Sequence, residues 1–175
     1  MRSAGGGRPL TALVAVLILL SDQLSKLLVS RMLVPGVASP IIPGFFDLTL
    51  VTNTGGIFGI LRDAGSATRS ILFSAIPVVA VALIAWYGWR LPAGRAWSSA
   101  ALGLILGGAA GNLVDRFRLG HVIDFLDAYV GTHHWPAFNL ADSGICVGVT
   151  ILLAEGFFAP RADGGGSAVA EREAS

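Results

Sequence analysis

The class of this protein turns on residues Trp135 to Phe158, WPAFNLADSGICVGVTILLAEGFF. From Phe138 to Phe158 the run is apolar and near the ~20 residues that cross a bilayer as one helix. Yet it opens on Asn139 and Asp142, which hydrocarbon disfavours. A carboxylate is tolerable in the first turn of a helix, where the macrodipole and interfacial water favour negative charge. Asn139, just before that turn, suits a cap. The stretch therefore predicts a membrane helix with an acid at its mouth.

Composition agrees. Of 175 residues, 54% are hydrophobic and 13% charged, with mean hydropathy +0.72. Soluble domains carry about a quarter charged residues, so the chain reads as an integral membrane protein. The net charge of +1 gives no support for a nucleic-acid partner. Cys146 is the single cysteine, which rules out an intrachain disulfide and a multi-cysteine metal site. No HExxH is present, His121, His133 and His134 lack ligand spacing, and GGAAGN lacks the lysine of a phosphate loop. No metal or cofactor is expected.

Four apolar stretches are candidate spans: about Leu10 to Val29, Ile71 to Trp89, Ala96 to Val114 and Phe138 to Phe158. The first reads as a retained span, because Ser21-Asp22-Gln23 follows the run where a cleaved leader needs small-x-small. Pro77 lies inside the second, and Trp86, Tyr87 and Trp89 close it as an interfacial belt. In the third, Gly103, Gly107 and Gly111 share one face and predict close helix packing. Between spans, FFDLTLVTN is β-like and predicts a small sheet at the membrane surface. RFRLGHVIDFLDAYVGTHHWPA is a second polar excursion. The organisation expected is one domain over residues 10–160, with excursions at about 30–69 and 117–137, a flexible end at 1–9 and a disordered tail at 161–175. Four spans put both termini on one side. Basic residues do not orient them: Arg2, Arg8, Arg90, Arg95, Arg161 and Arg172 balance Lys26, Arg31, Arg62, Arg69, Arg116 and Arg118.

Ionisable residues in membrane segments cost about 2.5–3.5 kcal/mol each to insert and mark functional sites. Asp22, Lys26, Asp115, Arg116 and Asp142 qualify, and Asp124 joins them from the apolar setting HVIDFL. The proposed topology gathers all six on the excursion side. Asp22 and Lys26, at i and i+4, suit an ion pair. Arg116 suits snorkelling or an anion or carbonyl clamp. Asp115 points elsewhere on its helix and reads as solvated. Cys146 reads as a small packing residue. Asp124 and Asp142 flank a loop long enough to bring them together. Two carboxylates in a low-dielectric site share a proton. One can then activate water while the other hydrogen-bonds a scissile carbonyl, as in aspartic proteases. The alternatives are a proton-coupled small transporter or channel, with polar groups through the bilayer depth, and a non-enzymatic assembly factor using the glycine face.

At these residues the chain resembles a known family, the bacterial prolipoprotein signal peptidases or signal peptidase II enzymes. DQLSK supplies Asp22 and Lys26, NTGGIFG supplies Asn53 and Gly55, and GGAAGNLVDR supplies Gly107, Gly108, Asn112 and Arg116. VIDF supplies Asp124, and FNLADS supplies Asn139, Ala141 and Asp142. One departure is visible: the family usually has N-T-G-A-A-F-S where this chain has Asn53-Thr54-Gly55-Gly56-Ile57-Phe58-Gly59. The resemblance implies an inner-membrane aspartyl endopeptidase with four transmembrane helices and a small extracytoplasmic β-sheet. It implies cytoplasmic termini and a site toward the extracytoplasmic face. The substrate implied is a diacylglyceryl-modified prolipoprotein, cut before its lipidated cysteine. Asp124 and Asp142 match the catalytic dyad, while Asn53, Asn112, Arg116 and Asn139 match polar positions around the substrate. Asp22 and Lys26 match a supporting pair. Membrane lipid and globomycin-type cyclic peptides are the further partners implied.

Overall fold

The computed structural model describes residues 7–55, 66–92 and 94–158. The tail at 161–175, most of the expected flexible end and the Gly56–Gly59 departure lie outside the described residues. In chain order the elements are α1 (Arg8–Met32), β1 (Ser39–Ile42), β2 (Phe46–Asn53), α2 (Ser66–Arg90), α3 (Ala96–Leu119), β3 (Val122–Val130), β4 (His133–His134) and α4 (Leu140–Phe158). By length and composition α1, α3 and α4 can each cross a membrane, and α2 is apolar over Ala75–Arg90. The fold is thus mainly helical and membrane-type, with one small antiparallel sheet.

Burial is inverted relative to a soluble protein. On α1, Leu20 is 60% exposed and Leu13, Val16, Leu17 and Leu24 are also exposed, while Asp22 and Lys26 are 0% and 2% exposed. Such a helix is unfavourable in water, where the exposed leucines would cost about 25 cal/mol per Å² of apolar surface. In lipid the same surface is at home. Pro9 fits the first turn of α1, where its missing N–H has no intrahelical partner. At the other end Leu33 turns extended and donates its N–H to Val29 O at 2.8 Å.

The central helix is α3, packed between α1 and α4 with α2 alongside. The glycines decide how close the helices come. A Cβ on Gly103 would sit 2.7 Å from both Thr11 O and Val14 Cβ, and one on Gly107 would overlap Ala15 O. That face meets α1, as the four-residue spacing predicts. Gly108 lies on a second face and meets Ala141 and Ile145 of α4, which answers with Gly148 against Ala101 and Ile105. At the far end of the bundle Arg8 stacks over Trp89 and Arg90 over Trp86, each 4.4 Å from the ring centroid.

The β-like stretch forms β2, paired antiparallel with β1 and β3 in the order β1-β2-β3-β4. Pro40 is tolerated because β1 is an edge strand. The second excursion is not a plain loop. Gly120, at φ 78°, ends α3 in the left-handed conformation, with its N–H on Arg116 O at 3.0 Å. The chain then runs straight into β3, which pairs Val51 with Asp124 and Asn53 with Val122. Helix α3 also continues five residues beyond the expected Val114, to Leu119, and carries Asp115 and Arg116 within its last turns.

Candidate active site

Asp124 comes from β3 and Asp142 from the first turn of α4, and the two meet around Asn139. Asn139 caps α4: its Oδ1 accepts the Asp142 N–H at 3.0 Å, and Asp142 Oδ2 accepts the Asn139 N–H at 3.3 Å. This reciprocal pair is a capping box with aspartate as its acidic member. Its geometry commits the Asn139 amide. Because Oδ1 faces a backbone donor, Nδ2 must face acceptors, and it donates to Asp124 Oδ1 at 2.7 Å. One capping residue therefore touches both carboxylates.

The same rule of obligate donors orients the other two amides. Gly55, at φ 90°, turns its N–H onto Asn53 Oδ1 at 2.9 Å, so Asn53 Nδ2 donates to Asp124 Oδ2 at 3.0 Å. Glycine is suited to that backbone conformation. Lys26, which can only donate, reaches Asn112 Oδ1 at 3.0 Å, so Asn112 Nδ2 faces Asp142 Oδ1 at 2.7 Å. Ala141 donates its N–H to Asp22 Oδ1 at 3.0 Å. Arg116 donates to Asn112 O at 3.4 Å, and its charge lies within electrostatic reach of Asp142 and Asp124. The structure thus brings every candidate residue of the sequence analysis into one cluster.

Asp22 and Lys26 form the expected ion pair at 2.8 Å. The expectation for Asp115 is corrected: it is 2% exposed and pairs with Lys26 at 2.8 Å. It also accepts the Gln23 amide at 3.0 Å and the Ile123 N–H at 3.2 Å. Gly108, Gly111, Asn112 and Asp115 follow the i, i+3, i+4, i+7 spacing of one helix face, the signal by which sequence reasoning could have found it. Gln23 was also missed, and its neutral amide between two acids carried no such signal. Cys146 is corrected as well, being exposed on α4. It lines a cleft of about 580 Å³ beside Asp142, with Ala128, Trp135, Phe138 and Ser143. Asp124 opens onto a smaller hollow of about 280 Å³ with Thr52 and Asn53, and Pro136 and Ala137 border both.

Asp124 is 2% exposed. Burial pushes its carboxyl up to about 6, and the Asp142 charge adds to this against the hydrogen bonds of Asn53 and Asn139. The folded value lies above the ordinary 3.8, so the folded state binds more protons between the two values. Stability accordingly falls as pH rises through that window. Asp124→Asn removes the ionisation. Its melting temperature should exceed that of the wild type above about pH 6 and converge with it toward pH 4. Thermal unfolding across that range checks this, and a variant less stable at pH 7.5 than at pH 4, relative to wild type, contradicts it.

Within the helices the remaining buried polar side chains, Thr11, Ser98 and Ser99, lie at the opposite end, where Ser98 Oγ donates to Glu155. A proton relay across the bilayer requires polar side chains through its depth, and among the described residues no buried polar side chain occupies the middle of the bundle. The chain matches the family model described as Signal peptidase (SPase) II over residues 14–158. It is 47% identical over 141 residues to a lipoprotein signal peptidase of Syntrophotalea carbinolica, covering 81% of this chain and 86% of the relative. It is 46% identical over 155 residues to one of Cupriavidus taiwanensis, covering 88% and 86%. A solved bacterial membrane enzyme superposes with a TM-score of 0.76 at 27% identity, over 85% of this chain and 93% of that one. By the family model and these relatives, the chain belongs to the signal peptidase II family of lipoprotein signal peptidases.

Proposed function

We propose that this signal peptidase II removes signal peptides from diacylglyceryl-modified prolipoproteins with Asp124 and Asp142 as a proton-sharing catalytic dyad. The observation that carries the reading is the Asn139 bridge, through which one residue holds carboxylates from β3 and α4 at one end of the bundle. Asp124, the carboxyl that burial biases toward the protonated form, presents the proton shared by the pair to the scissile carbonyl. Asp142, at the helix N-terminus, takes a proton from water as that water attacks the carbonyl carbon. The carbonyl oxygen receives the Asp124 proton. On collapse the C–N bond breaks, the leaving nitrogen takes the proton from Asp142, and a hydroxyl of the intermediate returns its proton to Asp124 as the carbonyl re-forms. The products are a signal-peptide carboxylate and a free amine on the lipidated cysteine.

In this reading the four helices span the bacterial inner membrane as one domain over about residues 10–160. Both termini are cytoplasmic, beside the Arg8 and Arg90 stacks. The sheet lies on the extracytoplasmic surface, where water reaches the dyad. Asn53, Asn112, Arg116 and Asn139 surround the substrate site, and Gly55 and Ala141 support it through backbone N–H groups held by Asn53 and Asp22. Membrane lipid delivers the substrate laterally. The apolar cleft beside Asp142 receives the chain next to the scissile bond, and globomycin-type cyclic peptides compete there.

The test is cleavage of a precursor peptide by the purified protein in lipid. A diacylglyceryl-modified peptide should be cut before the modified cysteine, and the same peptide without lipid should be cut far more slowly. Equal cleavage of both would contradict the substrate assignment. Proton flux in liposomes without any cleavage would favour the transporter.

A further inference from the structure

Behind the carboxylates that face the clefts lies a second, wholly buried charge cluster. Lys26 Nζ has three hydrogens and three partners: Asp22 Oδ2 at 2.8 Å, Asp115 Oδ2 at 2.8 Å and Asn112 Oδ1 at 3.0 Å. Gln23 Nε2 ties the same two acids together from the other side, at 3.2 Å from Asp22 Oδ2 and 3.0 Å from Asp115 Oδ1. Each acid then holds one backbone N–H. Asp22 Oδ1 accepts that of Ala141, and Asp115 Oδ2 accepts that of Ile123. These are the residues immediately before Asp142 and Asp124. The third arm, Asn112, reaches Asp142 itself at 2.7 Å.

The geometry points to Lys26, Asp22 and Asp115 as a clamp that sets the separation of the two catalytic carboxylates by pinning the backbone N–H of the residue before each. None of the three touches the reacting atoms, so they are positioning residues. The clamp joins α1 and α3 to strand β3 and helix α4, the elements that carry the dyad. Without the ammonium the two acids repel, and the two pinned backbones separate with them. The Asn112 amide also loses the donor that fixes its orientation. The inference rests on the dyad reading, and Asp124→Asn and Asp142→Asn belong in the same experiment so that the two can fail separately.

Turnover and KM are to be measured with the lipidated precursor for Lys26→Met, Asp22→Asn, Asp115→Asn and Lys26→Met/Asp115→Asn, each with its melting temperature. The double variant keeps the net charge of the cluster and serves where Lys26→Met alone fails to fold. A misplacement near 1 Å costs about 100-fold in rate. Lys26→Met or the double variant should therefore lose roughly 50-fold or more in kcat, with KM within about threefold and the protein folded at the assay temperature. The double variant should be no slower than Lys26→Met, because both break one device. A kcat within about threefold of wild type in a folded Lys26 variant overturns the clamp. So does a loss that appears only in KM or only in the folded fraction. If the two aspartate variants of the dyad stay active, the dyad reading itself fails, whatever Lys26 does.

Discussion

Asp142→Asn is expected to lower turnover of the lipidated precursor by about 10³–10⁴-fold, the upper range for loss of a general base, while the protein still folds. Asparagine has the shape of aspartate. Its Oδ1 can still accept from Asn112 Nδ2, now at 2.7 Å from Asp142 Oδ1. The atom replacing Oδ2 becomes an N–H₂ facing the Asn139 N–H, so one capping hydrogen bond at 3.3 Å is lost. That costs on the order of 1 kcal/mol, small beside a net stability of about 5–15 kcal/mol. The catalytic cost is of another kind, since an amide cannot take a proton from water at neutral pH. KM should change little, because asparagine keeps the shape of aspartate and the apolar lining of the cleft is untouched. The measurement is single-turnover cleavage with a parallel melting curve. Turnover within about tenfold of wild type in folded protein would remove Asp142 from the dyad.

Much of the site was legible because a membrane makes polar residues conspicuous. Asp22, Lys26 and Asp142 stand out against LILL and ILL runs, and their insertion cost requires partners. The helices were legible for the same reason, since their apolar runs approach the bilayer thickness. The long apolar run also identified α4 and its capping residue before any contact was known. What the runs do not specify is where a helix stops once it leaves the hydrocarbon. Helix α3 continues to Leu119, and the stop is a conformational one at Gly120. The continuation changes the meaning of Asp115. Read as the neighbour of Arg116 it takes a solvated helix face, whereas counted on the face of Gly108, Gly111 and Asn112 it points inward to Lys26.

Strand β3 was hidden for a related reason. VIDFLDAYV alternates imperfectly, and Asp124 and Asp127 break its apolar character. Its pairing with β2 is a long-range contact that no local propensity encodes. The orientation of the three asparagines was also out of reach. Each amide is set by an obligate donor from a distant element: Lys26 for Asn112, the Gly55 N–H for Asn53 and the Asp142 N–H for Asn139. The sequence shows the amides, but only the fold shows which end of each faces a carboxylate. Gly55 thereby gains a physical account that its motif position alone did not supply.

Gly108→Val is expected to cost both stability and activity, and activity more. A Cβ at Gly108 would overlap the carbonyl oxygen of Ala141 and lie 2.9 Å from Ile145 Cγ1. Ile145 can adjust, but Ala141 O is backbone and its peptide neighbour is pinned by Asp22 at 3.0 Å. Relief therefore requires α4 to retreat from α3 at the level of Asp142. Overpacking of this kind costs about 1–3 kcal/mol, which lowers the melting temperature without preventing folding. Catalysis is less forgiving, because a shift near 1 Å in the reacting geometry costs about 100-fold. Gly156→Ala provides the contrast on α4: its Cβ would meet nothing within 4 Å among the described residues. Alanine there gains up to about 1 kcal/mol of helix propensity and should leave turnover unchanged. Melting curves and cleavage rates for the two variants side by side test the argument. If Gly108→Val retained wild-type rate and stability, the close approach of α3 to α4 would not be what holds Asp142 in place. If its rate fell only as far as its folded fraction, the glycine would serve packing alone. A rate loss well beyond the folded fraction, with Gly156→Ala at wild-type rate, is the outcome that ties this helix contact to the placement of the dyad.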